Sequence, residues 1–558
     1  MAASSGSKRR RCLSTTALPA TACGPCPAGW PVGASAILPA SKLPTRVAAA
    51  CDPGPSRLHL VLSPLLWYGV PEILEAMGPG SAVLCVEADP ALAELARSFM
   101  PRALAEDDRV AFLEASSPGE AVEAANSLGA FRACSILAPS GGEALNASAY
   151  KAMAAALSAE FESSWRNRAA LTVLGDRWAK NIFDNIAALP AIAPEPLPRF
   201  PAAVIVCGAG PSIEDALPFI CRTRSRLGVV ACDTALGTLL SSGIEPDLVV
   251  CLEGQAHNLA DFTCLGSSRI PLVADLSSHP AAFRAVRGPK HLTLVRITRS
   301  PFLSRVTAAL SEAALPFLPA PPLGSVGVHA AHIARRLARG PVFATGLDFS
   351  FEPGKTHARG CPSLLAEESR LDRLTRWPGQ YAASFRERTL KLDDARGGAL
   401  SDPVLLSYAA LLSDDRAAEA APGLYDLRGR GPSIGGQGIG LAEAESLVAA
   451  SSRESGATTE TAAAEKPVRF DEARTASAVA GLLDGEIRRL SELRLSMRGT
   501  QSLDKAEFRS RVLESDYLFW AFPDQDRARH LPQDFLNRLM VQVEFWTHRL
   551  ESLAASRG

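Results

Sequence analysis

The sequence lacks an excess of charge of either sign, because 58 lysines and arginines stand against 59 aspartates and glutamates, for a net charge of −1. A field of one sign is what draws a protein to nucleic acid or anionic lipid, and the overall balance supports neither partner. Any run of about eighteen apolar residues, the length that a membrane-spanning helix needs, is also missing. The sequence therefore predicts no nucleic-acid partner and no membrane span.

Export signals and redox motifs are equally poorly represented. Basic residues 8–11 precede a short apolar stretch that Pro19 interrupts, which predicts an unstructured arm rather than a signal peptide. Cys23 and Cys26 have redox spacing, but no strand precedes them and no helix follows. Five of the 12 cysteines lie in apolar strand-like runs, where a thiol acts as a small hydrophobic side chain: Cys85, Cys134, Cys207, Cys232 and Cys251. This usage favours a reducing cytoplasm.

Length and composition agree with a large soluble enzyme, and the pattern of strands and helices described below predicts an α/β fold. A chain of 558 residues that is 47% apolar is long enough for three or four domains with substantial cores. Ala, Pro, Ser and Gly dominate the start, Ser, Thr, Glu and Ala dominate a linker near 450–467, and apolar residues recur at helical spacing beyond it. The predicted parts are an N-terminal arm (1–55), a Rossmann-like domain (56–190), a central domain (200–445), a linker (446–467) and a helical C-terminal domain (468–558).

The N-terminal domain is predicted to be a Rossmann-like scaffold that binds no adenosyl cofactor. Strands are expected at 58–62 and 81–86, and Glu87 closes the second, where methyltransferase-like domains hold a ribose. The loop between them, 63–69, does not have the glycine pattern that lets a backbone approach a cofactor. We expect further strands at 110–113, 134–138 and 171–174, and a linking helix at 178–189.

Residues 204–247 carry the most information about function. A buried strand (204–207) leads into a glycine loop (208–212) and a helix that begins at Ile213. Helix N-termini behind such loops offer unpaired N–H groups, which favour an anion such as phosphate. Two more strands, 227–232 and 247–252, complete a β-α-β-α-β unit, whose ligands bind at the carboxyl ends of the strands. The dinucleotide fingerprint is absent, because Ile213 stands where its third glycine would be. The segment predicts a nucleotide-bearing ligand.

Three separated motifs in the same order resemble the motility accessory factor (Maf) glycosyltransferases of flagellated bacteria. They are Gly-Ala-Gly-Pro-Ser at 208–212, Ala-Cys-Asp-Thr-Ala-Leu at 231–236 and Gly-Ile-Glu-Pro-Asp at 243–247. Weaker similarity to bacterial sialyltransferases that use CMP-sugars occurs at the same places. The resemblance to the Maf family continues at 324–331, 341–349 and 354–360.

The resemblance implies a Rossmann-like, sialyltransferase-type central domain. Its expected activity is transfer of a nonulosonic acid, a nine-carbon acidic sugar of the pseudaminic, legionaminic or sialic type, from its CMP conjugate to Ser or Thr of flagellin, which flagellum assembly and motility need. The donor is a substrate, and no cofactor or metal is expected.

The same resemblance suggests roles for individual residues. His357 is the expected general base, because an imidazole titrates near neutral pH; a loop histidine bonded to a backbone carbonyl is the alternative. Asp348 closes a strand and either binds the acceptor or caps a turn. The expected donor and nucleotide contacts are Gly208, Gly210, Pro211, Ser212, Asp233, Thr234, Glu253, Ser325 and Gly327.

Two other functions stay open. MptE-like pterin pyrophosphokinases share the Gly-Pro-Ser loop and the step at 243–247, but they need paired aspartates after the third strand for magnesium. This chain has a single carboxylate there, Glu253, which also departs from the aspartate expected in the Maf family. A non-catalytic flagellin-binding chaperone with a vestigial nucleotide pocket is the third function.

Two further features have a bearing on the site. His329 and His332 are three residues apart on one helix face, and we expect a buried pair rather than a metal site, since no further ligand is close in sequence.

The segment 359–399, just after His357, is long and irregular in pattern, which favours a lid or an acceptor loop.

Overall fold

The computed structural model describes residues 51–115, 117–129, 131, 133–200, 202–297, 300–374, 380–392, 399–414, 423–457, 470–499 and 504–556. Most of the predicted arm and the end of the predicted linker lie outside these residues. The chain divides into two compact units, residues 1–158 and 159–558. Within the described ranges, no helix combines the length and apolar character that crossing a bilayer requires.

The first unit contains a parallel sheet, ordered β3-β2-β1-β4 in its described part. Its four strands confirm the strands predicted at 58–62, 81–86, 110–113 and 134–138. β1 and β2 are almost entirely buried, as expected for a sheet covered by helices. The strands are β1 (Arg57–Leu62), β2 (Ala82–Glu87), β3 (Val110–Glu114) and β4 (Ala133–Leu137). The helices are α1 (Val70–Ala76), α2 (Pro90–Ser98), α3 (Arg102–Ala105) and α4 (Pro118–Leu128), and a 3₁₀ turn spans Gly142–Asn146.

Glu87, the acidic residue that closes β2, is fully buried and bonded inside its own unit. Its carboxylate accepts hydrogen bonds from the Ser63 hydroxyl at 2.7 Å, from the Tyr150 hydroxyl and from the amide of Ala88 at 3.1 Å. Burial and the bond to Glu87 raise the pKa of Tyr150. The position where a Rossmann domain would hold a ribose is therefore filled by the protein's own hydroxyls.

The predicted strand at 171–174 is wrong, because these residues lie inside α5 (Ala147–Ile192), a helix of 46 residues. The predicted linking helix at 178–189 is the later part of the same helix. Leu171 is 6% exposed and Val173 is 79% exposed, whereas a strand would place both on one face. Buried positions recur at Leu171, Gly175 and Ala179, a spacing of four that outweighs the strand preference of Thr and Val.

The second unit is built on a larger parallel sheet whose described strands are ordered β10-β9-β8-β7-β6-β5-β11-β14-β15. Its central strands are mainly apolar and buried, as both faces carry helices. The strands are β5 (Ala203–Cys207), β6 (Leu227–Cys232), β7 (Leu248–Cys251), β8 (Leu272–Asp275), β9 (Lys290–Val295), β10 (Phe317–Ala320), β11 (Val342–Thr345), β14 (Leu424–Asp426) and β15 (Gln437–Gly438). A separate antiparallel pair comprises β12 (Leu390–Lys391) and β13 (Leu400–Ser401).

Helices connect and cover this sheet. Several of them start with the residues that favour a helix N-terminus. Ser300 and Asp402, for example, cap helices whose first residue is proline. They are α6 (Ile213–Thr223), α7 (Leu236–Ser241), α8 (Pro280–Ala285), α9 (Pro301–Glu312), α10 (Val326–Leu337), α11 (Pro362–Glu368), α12 (Tyr381–Ser384), α13 (Pro403–Ser413) and α14 (Leu441–Ala457). The 3₁₀ segments here are Arg224–Arg226, Asp233–Ala235 and Ala256–Leu265.

The C-terminal segment is helical, as predicted, and shares one hydrophobic core with the sheet helices. The ring of Phe183 on α5 lies 5.2 Å from that of Trp546, and the ring of Phe302 on α9 lies 4.8 Å from that of Tyr517. The helices are α15 (Glu472–Met497), α16 (Lys505–Glu514) and α17 (Gln533–Ala555), with 3₁₀ segments at Asp516–Phe519 and Gln525–Arg529.

Candidate functional site at the switch point of the large sheet

The order of the large sheet places a switch point between β5 and β11. From β5 the chain builds strands in one direction as far as β10, and it then returns to place β11 on the other side of β5. In open parallel sheets, ligands bind in the crevice at the carboxyl ends of the strands where this reversal occurs. The loops that follow β5 and β11 are the glycine loop at 208–212 and residues 346–350, so the predicted site falls at this crevice.

The two loops are joined backbone to backbone. The amide of Gly208 donates to the carbonyl of Thr345 at 2.9 Å, and the amide of Gly210 donates to the carbonyl of Gly346 at 2.7 Å. A Cβ on Gly208 would overlap the carbonyl oxygen of Gly346, and a Cβ on Gly346 would overlap that of Gly208. Glycine is therefore required at both positions by the contact between the loops themselves.

Ser212 and Asp348 form the second connection between the loops. The amide of Ser212 donates to Oδ2 of Asp348 at 2.8 Å, and the Ser212 hydroxyl donates to Oδ1. The same hydroxyl accepts from the amide of Gly346 at 2.8 Å. Both side chains are buried. Burial raises the pKa of Asp348, although the bonds from Ser212 favour its charged form.

This geometry differs from the expectation that the glycine loop leaves its amides free for a phosphate. The amides of Gly208, Gly210 and Ser212 are bonded to protein atoms, and Pro211 has no N–H to offer. A carboxylate, that of Asp348, occupies the position at the N-terminus of α6 where an anion is favoured. The anion site that the sequence predicts is therefore filled from within the protein.

Arg428 supports the loop after β11, and sequence reasoning missed it. Its guanidinium is 1% exposed and pairs with both oxygens of Asp426, at 2.8 and 2.6 Å. It also donates to the carbonyl of Leu347 at 2.9 Å and to that of Pro432 at 2.9 Å. None of the motifs singled out in the sequence, the last of which ends at 360, includes position 428.

The turn that carries His357 lies against the glycine loop. The amide of Ala358 donates to the carbonyl of Ala209 at 2.8 Å. Nδ1 of His357 lies 3.0 Å from the Thr356 hydroxyl. Burial lowers the pKa of His357, and the charge of Glu367 partly opposes this shift. The structure therefore brings the predicted general base to the switch point, where burial favours the neutral imidazole.

Glu214, in the first turn of α6, also holds the His357 turn in place. Its carboxylate accepts from Nζ of Lys355 at 2.8 Å and from the amide of Arg359 at 2.8 Å. Burial opposes charge on Glu214, but the bonds from Lys355 and Arg359 outweigh it and lower the pKa of Glu214. The His357 turn is thus held on both sides, by Ala209 and by Glu214.

The end of β6 contains a pair of buried carboxylates. Asp233 accepts from the amide of Thr234 at 2.8 Å and from the side-chain amide of Asn258 at 2.6 Å. The Thr234 hydroxyl lies 3.3 Å from carboxylate oxygens of both Asp233 and Asp261. Burial, with the charge of Asp233, raises the pKa of Asp261 to about 7. Sequence reasoning identified Asp233 and Thr234 and missed Asn258 and Asp261, which a 3₁₀ segment brings from beyond β7.

The carboxylate pair adjoins the His357 turn. The hydroxyl of Thr238 on α7 donates to the carbonyl of Arg359 at 2.7 Å and lies 3.5 Å from the sulfur of Cys361. Burial, with the charge of Asp261 adding to it, raises the pKa of Cys361 to about 11. The predicted residues at the end of β6 and the predicted base are therefore on neighbouring parts of one site.

Glu253 and Gly324, just before the start of α10, both lie near Tyr408 on α13. The carboxylate of Glu253 accepts from the amide of Gln255 at 2.9 Å. Burial and the charges of Asp402 and Glu253 raise the pKa of Tyr408, and a Cβ on Gly324 would lie 2.9 Å from the Tyr408 ring.

Helix α10 begins beside the loop after β11. Ser325 caps the helix by accepting from the amide of Gly327 at 3.2 Å. A Cβ on Gly327 would lie 2.7 Å from Cδ2 of Leu347, which also abuts Gly208. Ser325 and Gly327, both predicted site residues, are therefore next to the glycine loop.

His329 and His332 are both fully buried, as predicted. Nε2 of His329 lies 3.1 Å from the hydroxyl of Thr293, which in turn lies 3.4 Å from Asp275. Burial and the charge of His332 lower the pKa of His329 to about 3. Across the described residues, no group of three or more His, Cys, Asp or Glu side chains is arranged to hold a metal ion.

A cavity of about 480 Å³ lies at the opposite, amino edge of the sheet. Its lining includes Phe200, Arg224, Asp247 and His291 and contains none of the predicted site residues. Because parallel sheets bind ligands at their carboxyl edge, we place the functional site at the switch point and not in this cavity.

These features define an open parallel α/β unit whose site lies at its switch point. The family model described as 6-hydroxymethylpterin diphosphokinase MptE-like matches residues 179–354. The resemblance inferred from the motifs is thereby confirmed for an MptE-like central domain, and the matched stretch ends just before the His357 turn.

Two proteins are similar to this chain over most of its length. A protein of Treponema pallidum (strain Nichols), described as uncharacterized, is 29% identical over 537 residues, or 92% of this chain and 91% of that protein. The structure of a Maf glycosyltransferase from Magnetospirillum magneticum AMB-1 is similar with a TM-score of 0.49 and 14% identity, covering 93% of this chain and 83% of that one.

Proposed function

We propose that this chain is a glycosyltransferase that moves a nonulosonic acid from its CMP conjugate to Ser or Thr of flagellin, in the cytoplasm. The observation that carries the proposal is the bond from Ala358 to Ala209, which sets the turn of His357 against the glycine loop at the switch point. A neutral imidazole beside a nucleotide-binding crevice is what activation of an acceptor hydroxyl needs. The sequence motifs in these same segments support the choice of donor and acceptor.

The chemistry requires one bond to form and one to break. The acceptor oxygen forms a bond to the anomeric carbon of the sugar, while the bond from that carbon to the CMP phosphate oxygen breaks and CMP leaves. His357 takes the proton of the acceptor hydroxyl. The leaving phosphate needs stabilising hydrogen bonds, and water must be kept away from the donor.

The donor contacts are assigned from the geometry of the crevice. Asp348 occupies the anion position on α6, so we assign the phosphate to the start of α10 beside the same loop, where the Ser325 hydroxyl accepts from the amide of Gly327 and has its own proton to donate to a phosphate oxygen. Asp233 and Thr234 are assigned to the ribose: the half-buried Thr234 contacts a ribose hydroxyl, and the buried Asp233 holds Thr234 in place through its bond to the Thr234 amide. A protonated Asp261 would lower the negative charge that an anionic donor meets there.

A second candidate function is transfer of a diphosphate to a pterin, as in MptE-like kinases. The specific observation in its favour is the Asp233 and Asp261 pair, bridged by the Thr234 hydroxyl. Magnesium is commonly bound by one or two carboxylates together with substrate phosphates. The pair thus offers the second carboxylate that the sequence around Glu253 lacks.

Calorimetric titration of the full chain with CMP, GTP and ATP separates these functions, and it is paired with a mass-spectrometric assay of recombinant flagellin incubated with CMP-pseudaminic acid. The proposal expects binding of CMP and a mass increase of one sugar residue. Binding of GTP or ATP that depends on magnesium, without binding of CMP, would favour the kinase. Binding of flagellin without affinity for any nucleotide would favour the chaperone.

A further inference from the structure

The imidazole of His357 has one hydrogen-bond partner among the described residues, the hydroxyl of Thr356, which lies 3.0 Å from Nδ1. A neutral imidazole carries a single N–H group, and its other nitrogen holds the lone pair that can take a proton. When Nδ1–H donates to the Thr356 hydroxyl, the lone pair is at Nε2 and is available to the acceptor. The position of Thr356 therefore decides which nitrogen can act as the base.

Thr356 is in turn held by a buried glutamine and a carboxylate. The amide of Thr356 donates to Oε1 of Gln380 at 2.8 Å, and the amide of Gln380 donates to Oε2 of Glu367 on α11 at 2.9 Å. Gln380 is 5% exposed and Glu367 is half-buried. A Cβ on Gly354 would overlap the ring of Tyr381, so α12 also packs against the turn. A continuous chain of hydrogen bonds thus leads from the Glu367 carboxylate to the residue beside the imidazole.

The other charged groups of the turn are engaged with α6. Nζ of Lys355 and the amide of Arg359 both donate to Glu214 at 2.8 Å. Burial lowers the pKa of His357, and the one charge that acts against this shift is that of Glu367. Glu367 is therefore the acidic group that the imidazole senses.

We propose that Glu367 is a positioning residue for the base, which fixes the Thr356–His357 pair through Gln380 and stabilises the imidazolium that forms when Nε2 takes the proton of the acceptor. The inference rests on the proposed function and adds a residue to its site. The sequence motifs end at 360 and do not include it.

The proton transfer explains why a carboxylate is useful at this position. The O–H bond of the acceptor breaks and a bond from Nε2 to hydrogen forms, while Nδ1–H stays bonded to Thr356. The imidazole, which burial holds neutral, then carries a positive charge. A nearby negative charge favours that form, and a fixed partner at Nδ1 keeps the ring oriented during the step.

The test compares three variants of the full chain. Glu367→Gln removes the charge but keeps an oxygen that can accept from the Gln380 amide. Gln380→Met is similar in length and removes the acceptor of the Thr356 amide, but it leaves the charge of Glu367. Glu368→Gln is the matched control, because it changes the next glutamate of the same helix, which is exposed.

Two readouts are taken from each protein. The pKa of His357 is measured by NMR titration of isotope-labelled histidine, with its signal assigned by comparison with His357→Ala. The kcat and the donor KM are measured for transfer from CMP-pseudaminic acid to recombinant flagellin over a range of pH. Thermal melting checks that each variant is folded.

We expect Glu367→Gln to lower the pKa of His357, so that the fall of kcat on the acid side moves to lower pH. Its kcat at pH 7 should be about threefold to thirtyfold lower, because a weaker base takes the proton less readily, and the donor KM should stay near that of wild type. Gln380→Met should lower kcat while the pKa of His357 stays near the wild-type value. Glu368→Gln should change neither quantity.

An unchanged titration of His357 in Glu367→Gln, or an equal change in Glu368→Gln, would overturn the inference. A lowered pKa with an unchanged kcat would overturn it as well, because the carboxylate would then have no part in the reaction. Absence of sugar transfer by the wild-type chain would instead reject the proposed function, and the titration would still decide whether Glu367 acts on the imidazole.

Discussion

The carboxylate of Asp348 accepts hydrogen bonds from both the amide and the hydroxyl of Ser212, which joins two loops that are 136 residues apart in sequence. The pair closes the N-terminus of α6 with an internal anion, where the helix dipole favours negative charge. It also fixes the separation of β5 and β11 at the switch point. Asp348 thus has a structural role that follows from its contacts, and a catalytic role for it stays a prediction.

Ser212→Ala should lower the free energy of unfolding by about 1–3 kcal/mol. The substitution leaves the buried Asp348 carboxylate without its hydroxyl donor, and unpaired buried polar groups have costs of this size. Urea denaturation measures the change. Ser552→Ala is the control, because Ser552 is exposed and donates its hydroxyl to the carbonyl of His548 in its own helix at 2.8 Å, and such surface changes stay within about 0.5 kcal/mol. Equal stability of both variants would show that the pair contributes little.

Gly210→Ala should destabilise the protein as well as weaken any ligand binding. A Cβ there would lie 2.8 Å from Cγ of Asp348 and 2.8 Å from the carbonyl oxygen of Gly346, so the two loops must separate. Gly485→Ala on α15 is the control, because nothing lies within 4 Å of the added Cβ and a helical glycine replaced by alanine gains about 0.5–1 kcal/mol. Thermal melting of both variants tests the contrast; a Gly210→Ala protein as stable as wild type would contradict it.

The fold was largely predictable where local pattern and tertiary environment agree. The strands at 204–207 and 227–232 are short apolar runs bounded by glycine or charge, and the structure confirms them. The prediction at 171–174 failed because β-branched residues there lie on a long helix, where packing outweighs local preference.

The site was predictable only in part, because sequence motifs name residues but not their partners. The motifs placed Gly208, Ser212 and His357 at one site, and the structure brings their segments together. They did not show that Ser212 bonds to Asp348 or that Asp261 reaches Asp233 from beyond β7. Such contacts depend on how distant loops meet in the fold. The spacing of residues within a single motif carries no information about that.

The pair of Asp233 and Asp261 should make stability depend on pH. Burial and the charge of Asp233 raise the pKa of Asp261 to about 7 in the folded protein, above the ordinary value near 4. The folded state therefore holds an additional proton between these pH values, and its free energy of unfolding should fall as pH rises from about 4 to about 7. Asp261→Asn should flatten this dependence, and Asp484→Asn on the exposed side of α15 should not. Urea denaturation at several pH values is the measurement; identical profiles for wild type and Asp261→Asn would disprove the assignment.

Transfer of the sugar should survive removal of metal ions by EDTA. A donor with a single phosphate carries less charge to neutralise than a nucleoside triphosphate, so hydrogen bonds at the crevice can suffice. Product formation with and without EDTA is followed by mass spectrometry. Complete loss of transfer that magnesium or manganese restores would make Asp233, Asp261 or Glu253 metal ligands and would favour the kinase.

His357→Ala should lower kcat about a hundredfold to ten-thousandfold, which is the usual contribution of a positioned general base. The affinity for CMP should change little, since donor binding is assigned to Asp233, Thr234 and the start of α10. Burial lowers the pKa of His357, so the wild-type rate should stay level near pH 7 and fall only when the pH drops through that lowered pKa, where the imidazolium can no longer accept a proton. The alanine variant should lose this fall in rate at low pH.

His548→Ala, which removes an exposed imidazole on α17, is the control and should leave both kcat and the pH profile unchanged. A variant at position 357 with the turnover and pH profile of wild type would show that the imidazole only braces its turn through Thr356, and Asp261 or Glu253 would then be tested as the base.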